Sequence, residues 1–94
     1  MSNYIICLNI RARRHDYGRL RILLENMKAV NIQDTVWLTS INSPADNIRA
    51  AIRELIYPGD DIAVIRLADN WSANAWSAFT DRQQAIDWLR ARYG

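Results

Sequence analysis

The strand expected at residues 3–10 limits most strongly what this chain can fold into. Alternation along a strand gives one face Tyr4, Ile6, Leu8 and Ile10, and the other face Ile5, Cys7 and Asn9. Both faces are apolar until Asn9. A strand of this kind is typical of the interior of a sheet that is covered on both sides. We therefore expect a layered fold with residues 3–10 at its centre.

A helix and two strands are expected next. Asp16 is a candidate N-cap. The apolar residues that follow recur at helical spacing, and they are Leu20, Leu23, Leu24 and Met27. A short strand at 29–32 and a second strand at 35–41 follow, with a turn at 33–34 between them. This pattern predicts one amphipathic helix and a hairpin.

The second half of the chain has clear helix-start signals. Ser43 is expected as the N-cap of a second helix, with Pro44 at its first helical position. Residues 62–67 are almost wholly apolar and predict another inner strand. Thr80 and Gln83 form a capping-box pattern that opens a C-terminal helix.

The resulting order of elements predicts the fold class. A β-α-β-β-α-β series followed by a tail helix is the α+β, ferredoxin-like plan. We expect one domain over 1–94, with the βαββαβ core in 1–67 and a Trp-rich loop and C-terminal helix in 68–94. In this plan two helices cover one face of an antiparallel sheet. A second copy of the chain or the Trp-rich tail should cover the other face, and we favour a homodimer in which the tail takes part.

Composition excludes several classes of function. Cys7 is the only cysteine, so an internal disulfide and a cysteine-based metal cluster are excluded, and we expect a buried, inert thiol. No apolar stretch approaches the length of a membrane span, and the N-terminus has no signal-peptide pattern. These observations predict a cytosolic protein that contacts no membrane. Separately, we expect no metal and no cofactor.

Arginine dominates the basic residues. Eleven of the twelve are Arg, and Lys28 is the exception. Codon bias in a GC-rich genome and bidentate recognition of phosphate or carboxylate both explain this. A net charge of +2 is by itself too small to indicate a nucleic-acid-binding protein. Four residues are candidates for a phosphate-binding rim, with a solvated basic loop as the alternative: Arg11, Arg13, Arg14 and Arg19.

Two acidic motifs are weaker candidates for chemistry. His15 beside Asp16 suggests acid–base catalysis, but a lone histidine in an exposed loop is usually not catalytic. Asp60 and Asp61 are adjacent, and neighbouring residues of a strand point to opposite faces, so they should not bind one metal ion. We expect the two aspartates to begin a strand and to keep the preceding turn soluble.

The tryptophans fall into two groups. Trp37 and Trp88 lie in regular elements and are expected in the core. Trp71 and Trp76, with Phe79, lie in an irregular segment of small residues. They could stack on nucleobases, fold back over the open sheet face, or anchor a dimer or another partner. A structural role is favoured, because a small domain needs such anchors and no basic residue interleaves them.

Short motifs give the chain a family resemblance. They are Thr35-Val-Trp-Leu, Asn42-Ser-Pro-Ala, Asp61-Ile-Ala-Val-Ile-Arg and Ala75-Trp-Ser-Ala-Phe79. With the order of elements, they resemble small proteins of the SinR family, which are similar to the CRISPR-associated protein 2 family. The resemblance implies a ferredoxin-like homodimer linked to nucleic acid, and in that family to metal-dependent nuclease activity.

The chain departs from that family at the end of the first strand. The family has a Tyr-Asp pair there, and its carboxylate is linked to the metal; this chain has Leu8-Asn9. An amide oxygen is a weaker ligand for a hard cation and cannot act as a base. We therefore expect Asn9 to be a degenerate catalytic position, with Mg²⁺ relevant only if nuclease activity is retained.

Three functions follow from the sequence. The leading one is a homodimeric, nucleic-acid-associated protein without metal-dependent nuclease activity, binding DNA or RNA through its arginines. The alternative is a protein-interaction module, such as a toxin–antitoxin or mobile-element accessory protein, that uses the surface at 71–79. The third is an active metal-dependent endonuclease.

Overall fold

The computed structural model describes residues 1–12, 16–69 and 76–94. Its elements are β1 (Ser2–Asn9), α1 (Gly18–Asn26), β2 (Val30–Gln33), β3 (Val36–Ile41), α2 (Ala45–Arg53), β4 (Asp61–Arg66) and α3 (Gln83–Tyr93). The four strands form one sheet, so the α+β class is confirmed. None of the helices in these ranges has the length and apolar character needed to cross a membrane.

The sheet has the strand order β2-β3-β1-β4, and every neighbouring pair is antiparallel. β1 is central, as expected. β4 lies at an edge, so the prediction of an inner strand at 62–67 was wrong. Ile62 and Val64 pack beneath the helices, whereas Ala63 and Ile65 are exposed. An apolar run does not distinguish an inner strand from an edge strand, because hydrophobicity indicates that a face is buried and not how many strands lie beside it.

Helices α1 and α2 cover one face of the sheet. The buried residues of this first cluster are Tyr4, Ile6, Leu8, Leu20, Leu24, Ile48, Ile52 and Ile56. Ile6 and Ile52 have no exposed surface. The Tyr4 hydroxyl reaches past the cluster and donates a hydrogen bond to the Ser43 carbonyl at 2.6 Å. Helices α1 and α2 therefore pack on the face of β1 that the sequence alternation predicts, which carries Tyr4, Ile6 and Leu8.

Helix α3 covers part of the other face. It contributes Ala85, Trp88 and Leu89 to a second buried cluster around Leu38, against which Trp76 also packs. The tail therefore supplies part of the expected cover. The helix ends beside the start of β1, where the Asn3 amide donates to the Tyr93 hydroxyl at 2.8 Å.

The rest of that face is more open. Ile65 of β4 is 54% exposed. Its cross-strand neighbour Ile5 is partly buried against the second cluster. Cys7, which we expected to be buried, is partly exposed on this face. Helix α3 contacts mainly β2, at the sheet edge opposite β4, so the part of this face near β4 is less covered.

The first two helices begin later than their sequence signals suggest. Tyr17 precedes α1, while Asp16 accepts a hydrogen bond from the Gly18 N–H at 2.8 Å instead of capping. Pro44 has an extended backbone and is itself the residue before α2, so Ser43 is not the N-cap. Neither helix has a side-chain cap hydrogen bond. Both predicted caps were wrong by one residue.

The capping box predicted at Thr80 is also absent. α3 begins at Gln83, and the Thr80 hydroxyl accepts the Arg82 N–H at 3.2 Å. The same hydroxyl donates to the Ile32 carbonyl of β2 at 3.3 Å. The Gln83 side chain turns along the helix and donates to Asp87 at 2.9 Å. Thr80 therefore ties the start of α3 to the sheet edge.

Candidate functional site

A buried carboxylate, Asp60, joins the end of β1 to the start of α1. It is 7% exposed. One carboxylate oxygen accepts the Arg11 N–H at 2.8 Å, and the other accepts the Tyr17 hydroxyl at 2.6 Å and the Tyr57 N–H at 3.0 Å. The prediction that Asp60 keeps a turn soluble was therefore wrong, because its carboxylate is buried and both of its oxygens accept hydrogen bonds from the protein.

These hydrogen bonds set the ionisation of the pair. Burial alone would raise the pKa of Asp60, but the hydrogen bonds from Tyr17 and from the backbones of Arg11, Tyr57 and Ala12 outweigh it and lower the pKa. Burial, followed by the hydrogen bond to Asp60 and its negative charge, raises the pKa of Tyr17 to about 12. At neutral pH the tyrosine is thus the donor and the carboxylate the acceptor.

The second aspartate, Asp61, lies on the surface and faces the polar end of β1. One of its oxygens accepts the Arg11 guanidinium at 2.9 Å and the Asn9 amide at 3.1 Å. The side chains of Arg11 and Asp61 are 61% and 63% exposed. Asn9 and Asp61 are direct partners across β1 and β4. The carboxylate closest to Asn9 in this arrangement is therefore neutralised by an arginine.

The donor set at the end of β1 does not fit a magnesium ion. It offers one amide oxygen and one carboxylate that already forms an ion pair with Arg11. Magnesium in proteins is bound through carboxylates and substrate phosphates. Across residues 1–12, 16–69 and 76–94, no cluster of three or more His, Cys, Asp or Glu side chains could hold a metal ion.

The candidate arginines lie on different surfaces. Arg11 is engaged by Asp61, whereas Arg19 is exposed and lines a groove between α1 and Leu55, which follows α2. Arg13 and Arg14, like His15, lie outside the described residues. Arg21, which we had not included in the rim, is also exposed. Since Arg19 and Arg21 are two positions apart on a helix, they lie on opposite sides of α1.

The aromatic candidates also separate. Trp88 is buried and Trp37 partly buried, both in the hydrophobic clusters. Trp76 packs against the second cluster, which favours its structural role. Phe79 is fully exposed beside a surface groove of about 610 Å³ along β2. Trp71 lies outside the described residues.

No protein-family model matches the chain, and no curated protein is significantly similar to it.

Proposed function

We propose that this chain is a small, homodimeric, nucleic-acid-associated protein of ferredoxin-like fold that binds without metal-dependent cleavage. The order of elements and the strand order β2-β3-β1-β4 support this fold. The proposal includes the resemblance to the CRISPR-associated protein 2 and SinR families. It places the protein in the cytosol.

A concentration of positive charge after β1 is the observation on which the proposal rests. Residues 11–21 contain five arginines and one aspartate, a net charge of +4, against +2 for the whole chain. The rest of the chain is therefore net negative. Clustered arginines bind phosphate through charge-assisted hydrogen bonds and attract it over distance. Such contacts recognise the nucleic-acid backbone and carry no sequence information directly.

The neighbouring carboxylates offset part of this charge, because Asp61 pairs with Arg11 and the ionised Asp60 lies beside Tyr17. Asp60 is buried and occupied by Tyr17 and by backbone N–H groups. Arg19 and Arg21 form no ion pair among the residues that the structure describes. These two arginines are therefore available to phosphate on either side of α1.

The same arrangement argues against cleavage. Asn9 cannot take a proton from a water molecule, and Asp61 is held by Arg11 at 2.9 Å. A hydrolytic site needs a base or a metal that activates the nucleophile. The arrangement of Asn9, Arg11 and Asp61 fits a binding surface better than a nuclease site.

The proposal predicts binding without cutting. Fluorescence anisotropy with a labelled DNA strand, its duplex and the RNA equivalent should show binding at low salt. The same nucleic acids should stay intact on incubation with Mg²⁺ or Mn²⁺, with an EDTA sample as control. If none of the three nucleic acids bound at low salt, the proposal would be overturned. Metal-dependent cleavage that survives Asn9→Ala would instead support the nuclease alternative.

The homodimer has its own test. We place a second copy of the chain on the open part of the second sheet face, around Ile65. Ile65→Lys should weaken dimerisation about ten-fold or more in sedimentation equilibrium, because an unpaired charge would be buried at the interface. Ile22→Lys is the matched control, since Ile22 is 58% exposed and lies on α1. A monomeric parent protein, or an equal effect of both variants, would contradict this placement.

The protein-interaction alternative rests on one observation. Phe79 is fully exposed, and the groove beside it is lined by Ile32, Thr80 and Arg82. An exposed phenylalanine next to an edge strand suits an extended peptide. Trp76 of the same predicted surface is partly buried against the second cluster, so Phe79 is the more exposed of the two. A partner that is lost on Phe79→Ser while nucleic acid does not bind would favour this alternative.

A further inference from the structure

A groove of about 320 Å³ opens between α1 and the sheet, beside the end of β1. Two aromatic side chains, Tyr17 and Trp37, line it together with the apolar Leu20 and Leu24. Arg21 and Glu25 line it from the same helix. This volume is at the lower end for small-molecule sites, and the lining combines apolar surface with a few polar groups, as in such sites.

The aromatic side chains are held in place. The Tyr17 hydroxyl donates to the buried Asp60 at 2.6 Å, which fixes the direction of the ring. Trp37 lies on β3 opposite Ile6 and packs against the first cluster. Aromatic groups that are already ordered lose little conformational entropy when a flat ligand packs on them. The groove is therefore suited to a planar ring.

The two charged residues select the ligand further. Arg21 and Glu25 are exposed, lie one helical turn apart, and form no ion pair within the described ranges. A guanidinium binds phosphate, and a carboxylate accepts the N–H groups on the edge of a base. A purely apolar peptide side chain would leave both charges unused. A nucleotide carries a flat ring, N–H donors and a phosphate, and would use all three features.

We propose that this groove binds one unpaired nucleotide, with its base against Tyr17 and Trp37 and its phosphate at Arg21. This inference rests on the proposed nucleic-acid binding and extends it from the backbone to a base. A single strand or a free nucleotide can supply the same chemistry, whereas an intact duplex keeps its bases stacked.

The test compares strands that differ only in their bases. A single-stranded oligonucleotide should bind at least about five-fold more tightly than an abasic strand of equal length, given the usual contribution of one stacked base. Glu25→Ala should reduce this preference, and Arg21→Ala should weaken the binding of both strands, because the abasic strand keeps its phosphates. Arg49→Ala, an exposed arginine on α2, is the charge-matched control and should leave the binding of both strands unchanged. In NMR spectra, the indole N–H signal missing from Trp37→Phe should shift when the strand or guanosine monophosphate is added.

Each outcome decides between the two proposals. Equal binding of both strands with an unmoved Trp37 signal would overturn the nucleotide groove and leave backbone binding standing. A shift with guanosine monophosphate but no binding of any strand would support the groove as a free-nucleotide site and overturn the nucleic-acid function. No binding of strand or nucleotide would overturn both.

Discussion

Asp60→Ala is expected to lower the free energy of unfolding by about 3 kcal/mol, because several donors lose their acceptor at once. The Tyr17 hydroxyl and the backbone N–H groups of Arg11 and Tyr57 would be left without their carboxylate partner. Urea denaturation followed by circular dichroism measures the change. Asp61→Ala is the matched control and should cost less than about 1 kcal/mol, since its ion pair is exposed.

Acid provides an independent readout of the same carboxylate. Its pKa is lowered in the folded protein, so the unfolded chain binds more protons as the pH falls. The stabilisation is therefore present above the unfolded value of about 4 and is lost as the pH falls through the folded pKa. Asp60→Asn should remove this part of the acid sensitivity. If Asp60→Asn lost as much stability on acidification as the parent protein, the pH dependence would not come from Asp60. If Asp60→Ala and Asp61→Ala lowered the free energy of unfolding by similar amounts, the buried hydrogen bonds of Asp60 would not be the main source of its stabilising effect.

The sequence predicted the elements better than their surroundings. The apolar faces of residues 3–10 and the apolar run at 62–67 correctly indicated two strands, yet only the first is central. The hydrophobic pattern reports which faces are buried, and one covering helix can bury a face of an edge strand. Ile62 and Val64 are covered in this way, while Ile65 remains exposed.

The candidate site was harder to predict because long-range contacts build it. Asp60 follows Pro58-Gly59, which indicates a soluble turn. Its partners Tyr17 and Arg11 are 43 and 49 residues away in the chain. No local pattern shows that these segments meet, so its burial could not be foreseen. The groove beside Arg21 was missed for a similar reason, since Arg21 lines it from α1 and Trp37 lines it from β3.

The predicted helix starts were wrong for a different, local reason. The expected Ser43 and Thr80 caps assume that the helix begins immediately after the polar residue. In the fold, the Ser43 carbonyl instead accepts the Tyr4 hydroxyl, and the Thr80 hydroxyl contacts the Ile32 carbonyl. Both positions therefore serve as tertiary contacts that anchor a helix to the sheet.

Replacing Arg13, Arg14, Arg19 and Arg21 together by alanine is expected to abolish nucleic-acid binding at physiological salt. Each lost phosphate contact should reduce the slope of log affinity against log salt by about 0.9 for duplex DNA. Because Arg19 and Arg21 lie on opposite sides of α1, we count at most three simultaneous contacts, which correspond to a fall in affinity of up to about five-hundred-fold near 0.1 M salt. Anisotropy titrations over a salt series measure both quantities. Four arginines outside residues 11–21, namely Arg49, Arg53, Arg90 and Arg92, provide a control with the same change in charge.

Arg11 separates direct binding from charge balance, because it neutralises Asp61. Arg11→Ala would remove a cation and also leave an unpaired carboxylate beside the arginines, so its effect should exceed that of one lost charge. If Arg11 acts mainly by neutralising Asp61, the Arg11→Ala/Asp61→Ala double variant should recover most of the lost affinity. A double variant as weak as Arg11→Ala would show that Arg11 itself contacts phosphate. The two quadruple variants can also be compared with each other. If the control variant weakened binding as much as the variant in residues 11–21, net charge alone would account for the interaction, and the segment after β1 would have no special role.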